Sequence, residues 1–106
     1  MRIETARRFA LSLPDATEEP HFDMSSFRVR GKIFATVPPQ GGLLHVFVDE
    51  AEARALAASN PGAYSELWWG KRLSGVRIEL RNADRGEVCE LLEQAWRRKA
   101  PRSLAG

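Results

Sequence analysis

Phe27-Arg28-Val29-Arg30-Gly31-Lys32-Ile33-Phe34-Ala35-Thr36-Val37 decides how the rest of the chain is read. Phe27 and Val29 alternate with Arg28 and Arg30, the two-residue period of a strand with one wetted face. Past Gly31 the alternation resumes, with Ile33, Ala35 and Val37 on one face and Lys32, Phe34 and Thr36 on the other. Gly31 takes a positive φ without steric cost, so the stretch predicts two short antiparallel strands joined by a tight hairpin. Three cations, Arg28, Arg30 and Lys32, crowd that turn.

Upstream, Ile3, Ala6, Phe9, Ala10 and Leu13 recur at helical spacing and predict a helix over residues 2–12. Pro14 ends it, because the residue before a proline is pushed out of the α region. Residues 16–20 read as an acidic loop leading into Pro20-His21-Phe22-Asp23. Downstream, Pro38-Pro39-Gln40-Gly41-Gly42 is a loop, and residues 43–48 form a nearly all-apolar third strand. Asp49 caps a second helix, with Glu52 at the capping-box position and Ala51, Ala55 and Leu56 facing inward. Asn60-Pro61-Gly62 ends it. Residues 64–69 and 73–81 read as two more strands around a turn at Gly70-Lys71-Arg72. Val76, Ile78 and Leu80 alternate there with Arg77, Glu79 and Arg81. Asp84 caps the last helix, whose stripe Val88, Leu91, Leu92, Ala95 and Trp96 makes it the main cover of the sheet. The basic run Arg97-Arg98-Lys99 suits the negative end of its dipole, and residues 101–106 read as a frayed tail.

The expected fold is therefore α+β: a two-layer α/β sandwich with an antiparallel sheet, helices on one face, and the order α-β-β-β-α-β-β-α. Its 106 residues make one domain, large enough to bury a core without staples. Hydrophobic content of 43% and charged content of 28% are those of an ordinary soluble globular protein. One cysteine, Cys89, rules out an internal disulfide and a multi-cysteine zinc site, and its place in a helical pattern reads as a buried, inert thiol. No apolar run approaches the roughly 20 residues of a membrane span, and the N-terminus lacks the apolar core of a signal peptide. The expectation is a cytoplasmic monomer that does not engage a membrane.

Charge is unevenly placed. Net charge is +2, but residues 1–53 carry six cations against eight carboxylates, and residues 54–106 carry ten against six. Two basic hairpins stand out: Arg28, Arg30 and Lys32 on the first, and Lys71, Arg72 and Arg77 on the second. Arginine forks match phosphate geometry, and two such hairpins can reach phosphates on both sides of a groove. Solvated outer strands carry the same residue types for solubility and against edge pairing. Trp68 and Trp69 are neighbours and so point to opposite faces of a strand. One belongs to the core, and the other, Trp69 in the nucleic-acid reading, is free to stack on a base.

Nothing in the sequence marks catalysis, a metal or a cofactor. His21, Asp23, Glu18 and Glu19 cluster ahead of the first strand, but His45 lies on a different strand, so the cluster reads as a hydrogen-bonded loop. Gly41-Gly42 opens no helix and is no phosphate loop. No serine, histidine and aspartate set shows recognisable spacing.

The chain resembles the MmcQ/YjbR family. The resemblance is carried by Glu18-Glu19-Pro20-His21-Phe22, the Gly31-Lys32-Ile33-Phe34-Ala35 core, the apolar strand at 43–48, residues 61–80, and the helix ending Ala95-Trp96-Arg97-Arg98-Lys99-Ala100-Pro101. It covers nearly the whole chain. Trp96 and the basic run stand where the family often carries a Ser-Tyr pair. The resemblance implies the same order of elements and DNA binding through a "double wing" of two basic β-hairpins. The alternative is a protein-interaction module that uses the open sheet face, with Phe34, His45, Phe47 and one tryptophan as contacts; a similar architecture occurs in secretion-chaperone-like proteins. A pocket between sheet and final helix is a third, weaker reading.

Overall fold

The alternating stretch at 27–37 does form a hairpin, and the sheet grows outward from it on both sides. A computed structural model describes residues 1–105. In chain order the elements are α1 (Ile3–Ser12), β1 (Ala16–His21), β2 (Met24–Val29), β3 (Lys32–Val37), β4 (Leu43–Val46), α2 (Glu50–Ser59), β5 (Tyr64–Trp69), β6 (Arg72–Glu79), a 3-10 turn (Leu80–Asn82), α3 (Arg85–Lys99) and the short α4 (Arg102–Ala105). The six strands make one antiparallel sheet in the order β1-β2-β3-β4-β6-β5.

The expected order stands, with one strand more at its start. The stretch read as an acidic loop is the edge strand β1, paired with β2 from Ala16↔Val29 to His21↔Met24. Its composition hid it: Thr17, Glu18, Glu19 and Pro20 are the residues that keep a sheet edge from pairing further. The tail also differs. Residues 102–105 form α4, with Leu104 and Ala105 packed against the core, while Gly106 lies outside the described residues.

Register separates two faces. One row runs Glu18, Phe27, Ala35, Val46, Val76, Glu66 across all six strands. Its four central members belong to the core or pack on it, and its end carboxylates are held by helices: Arg7 of α1 on Glu18 at 3.0 Å, Arg54 of α2 on Glu66 at 3.7 Å. All three long helices therefore lie on this face. The opposite row runs Glu19, Ser26, Thr36, His45, Arg77, Ser65. It is polar throughout, and two of its central members, Ser26 and Thr36, are buried.

The core is one cluster. It joins Ala6 and Ala10 of α1, Ala53 and Leu56 of α2, and Val88, Leu91, Leu92, Ala95 and Trp96 of α3 to the covered face of the sheet. The stripe on α3 is the one its spacing predicts, and burying each large side chain contributes roughly 1.5–3 kcal/mol. Both capping aspartates do what their positions suggest: Asp49 accepts from the Glu52 amide and Asp84 from the Glu87 amide. On α2, Ala53 and Leu56 turn inward, whereas Ala51 and Ala55 are exposed. Two long-range hydrogen bonds fasten α3 at its ends. Tyr64 Oη donates to Glu87 Oε1 at 2.6 Å, and Trp96 Nε1 donates to the Pro14 carbonyl at 2.9 Å.

Phe34 overturns a sequence expectation. Strict alternation puts it on the wet side with Lys32 and Thr36, but it is fully buried in the core. Phe27 pairs with Ala35 and Arg28 with Ile33, which leaves Phe34 as an extra residue on β3. A bulge of this kind changes the parity of the strand, so Phe34 and Ala35 both serve the core. Phe34 is thus lost to the open face as a candidate contact.

Candidate nucleic-acid interface

Hairpin chemistry sets the position of the two basic turns. Arg30 and Gly31 have φ of 50° and 83°, the two positive values that a type I′ turn needs. Gly70 has φ of 62° and Lys71 has no positive φ, the pattern of a type II′ turn. Antiparallel pairing of β3 with β4 and of β4 with β6 then places both turns at the same end of the sheet. The end of β4 and the start of α2 lie between them.

A cleft of about 620 Å³ opens there. Lys32 lines it from the first hairpin, Trp69 and Arg72 from the second, Phe47 from the strand end between them, and Arg98 and Lys99 from the end of α3. Among the described residues, none of these four cations has a carboxylate within ion-pair distance. Arg98 donates to the Phe47 carbonyl at 3.1 Å, which fixes it beside the cleft. Asp49 and Glu50 also line the cleft, but both are engaged: Asp49 caps α2, and Glu50 accepts from Arg54 at 2.8 Å.

The seven sequence-derived residues do not all gather here. Lys32, Arg72 and Trp69 do, and Lys71 sits exposed in the turn beside Arg72. Arg30 is tied to Asp15 at 2.6 Å. Arg28 lies back along β2, where it donates to Ser26 Oγ at 2.9 Å and the Pro20 carbonyl at 3.3 Å. Arg77 is mid-strand on the open face, opposite His45. Arg28 and Arg77 are therefore sheet-face residues, not residues of the hairpin tips.

Neither neighbouring tryptophan joins the core. Trp69 is 82% exposed. Trp68 is half-exposed on the helix side, under the Arg54 guanidinium at 5.9 Å, with its Nε1 donating to Glu66 at 3.1 Å. Arg98 and Lys99 are the cleft residues that sequence reasoning passed over. Their run was visible, but its role as helix-end charge explained it fully until the fold set that helix end between the hairpins.

Elsewhere the chemistry is sparse. Among the described residues, no three His, Cys, Asp or Glu side chains converge as a metal site. Cys89 is half-buried beside a shallow hollow with Phe9, and burial pushes its thiol pKa up, away from reactivity. No helix among the described residues is long and apolar enough to cross a membrane.

Fold and cleft together define a small α+β protein built around two hairpins at one end of an open sheet. The YjbR family model matches residues 11–98, and the chain belongs to that family. Its fold is similar to that in the crystal structure of Deinococcus radiodurans protein DR2400, a DUF419 domain, with a TM-score of 0.79. The two are 18% identical, and the match covers 91% of this chain and 76% of that one. No curated protein matches the sequence.

Proposed function

We propose that the chain is a non-enzymatic nucleic-acid-binding domain that grips phosphates, those of DNA in the first instance, between its two hairpins. One observation carries this reading: Lys32, Arg72, Arg98 and Lys99 come from three separate parts of the chain and meet in one cleft, with no carboxylate among the described residues within ion-pair distance of them. Bringing like charges together costs Coulomb energy, and a polyanion returns it. The central row of the open face is polar, Ser26, Thr36, His45 and Arg77, which disfavours the protein-docking alternative there.

Fluorescence anisotropy with labelled oligonucleotides in rising KCl tests it. Neutralising about four phosphates gives a slope of log K against log salt of about −3.6 on a duplex and about −2.8 on a single strand. Reversing both walls of the cleft, Lys32→Glu with Arg72→Glu, should weaken binding at least about tenfold. Arg30→Glu should do less, because Asp15 already occupies that guanidinium. A flat salt titration, or a double reversal that binds like the parent, would sink the proposal.

A further inference from the structure

Trp69 ends β5 directly across from Arg72 and leaves 82% of its surface in solvent. A duplex turns its phosphates outward and keeps its bases stacked inside, so it gives such an indole nothing to lie against. A single strand offers open base faces along an anionic backbone, and proteins that hold it combine a cationic groove with aromatic platforms. Both are present: Lys32, Arg72 and Lys99 supply charge, Trp69 and Phe47 supply flat apolar surface, and His21 stands at the same cleft. Phe22, itself 91% exposed, packs edge-on against His21 with centroids 4.8 Å apart. The volume, about 620 Å³, is in the range of small-ligand sites and suits a few extruded nucleotides, not the flank of a duplex.

Resting on the phosphate-binding reading above, we infer that the cleft takes a short single-stranded segment, with one base stacked on Trp69 and flanking phosphates held by Lys32, Arg72 and Lys99. The test is anisotropy of one labelled oligonucleotide, single-stranded and annealed, on the parent protein, Trp69→Ala, Trp69→Phe and the Lys32→Glu, Arg72→Glu pair. The single strand should bind at least about tenfold tighter than the duplex. Trp69→Ala should lose about five- to a hundredfold on the single strand while its duplex binding barely moves, and Trp69→Phe should keep most of the affinity. Circular dichroism on each variant checks the fold, which so exposed a side chain should not disturb. Equal or tighter duplex binding, or a Trp69→Ala variant that holds the single strand like the parent, overturns the inference. In that outcome the phosphate reading stands if the double charge reversal still releases the oligonucleotide. A reversal that changes neither ligand's binding removes both.

Discussion

His45 shows how much one side chain's surroundings differ from what its position suggests. It lies mid-strand on the open face, yet its Nε2 is buried and, among the described residues, without a hydrogen-bond partner. Its Nδ1 is 3.3 Å from Thr36 Oγ1, and Arg77 stands opposite. Burial first, and the Arg77 charge second, hold its pKa below the ordinary 6.5. The unfolded chain then binds a proton at a pH where the folded protein does not. The stability His45 contributes is full above about 6.5 and is lost as pH falls toward the lowered folded value. Urea unfolding should therefore show the parent losing stability between about pH 7.5 and about pH 5, and His45→Gln losing less over the same interval. An identical slope in both proteins would mean that other groups carry the dependence. The residue type was plain in the sequence; the neighbours that set its proton affinity come from β3 and β6.

At the scale of elements, the strands and caps were largely legible, and the irregularities were not. The capping aspartates, the α3 stripe and the positive-φ turn at Gly31 follow from local chemistry. Two bulges do not. One places Phe34 in the core. The other leaves Ser74 as an extra residue on β6, between the Leu67↔Gly75 and Trp68↔Leu73 pairs. Beside it β6 runs so close to β4 that a Cβ on Gly75 would overlap the Val46 carbonyl oxygen and crowd Phe47 Cα at 2.9 Å. Backbone offers no flexible end to give way. Gly75→Ala should cost about 1–3 kcal/mol in denaturant unfolding, the range of overpacked interiors. By contrast, a Cβ on Gly41 would meet nothing within 4 Å. Its alanine variant should fall within about 0.5 kcal/mol of the parent, as for an unencumbered surface site. A Gly75→Ala protein as stable as the parent would show that β4 and β6 part without cost.

For the whole molecule the decisive feature is a single core beneath one sheet. α2 serves the β5–β6 side while α1 and α3 serve the other, but their buried side chains form one cluster. Loss of either side should strip the other, so unfolding should be all-or-none. Far-ultraviolet circular dichroism and tryptophan fluorescence should give coincident transitions, since Trp68 and Trp69 report on one side and Trp96 on the other. A separate early transition in fluorescence would divide the molecule at β4–β6. The same architecture aims both hairpins at one end and brings the tail of α3 between them. The site is thus a property of the assembled sheet, not of either hairpin.

The α+β class, the boundaries of the three long helices, the two basic turns and the family resemblance were all determined by the sequence, because hydrophobic period, caps and turn residues act over a few neighbouring positions. Which cations share a cleft was decided only by the tertiary structure. Strand order and register bring Lys32, Arg72 and Lys99 together, set Arg30 on Asp15, and leave Arg28 and Arg77 on the open face. Those placements depend on pairing across the sheet, between residues far apart along the chain, which local pattern does not encode.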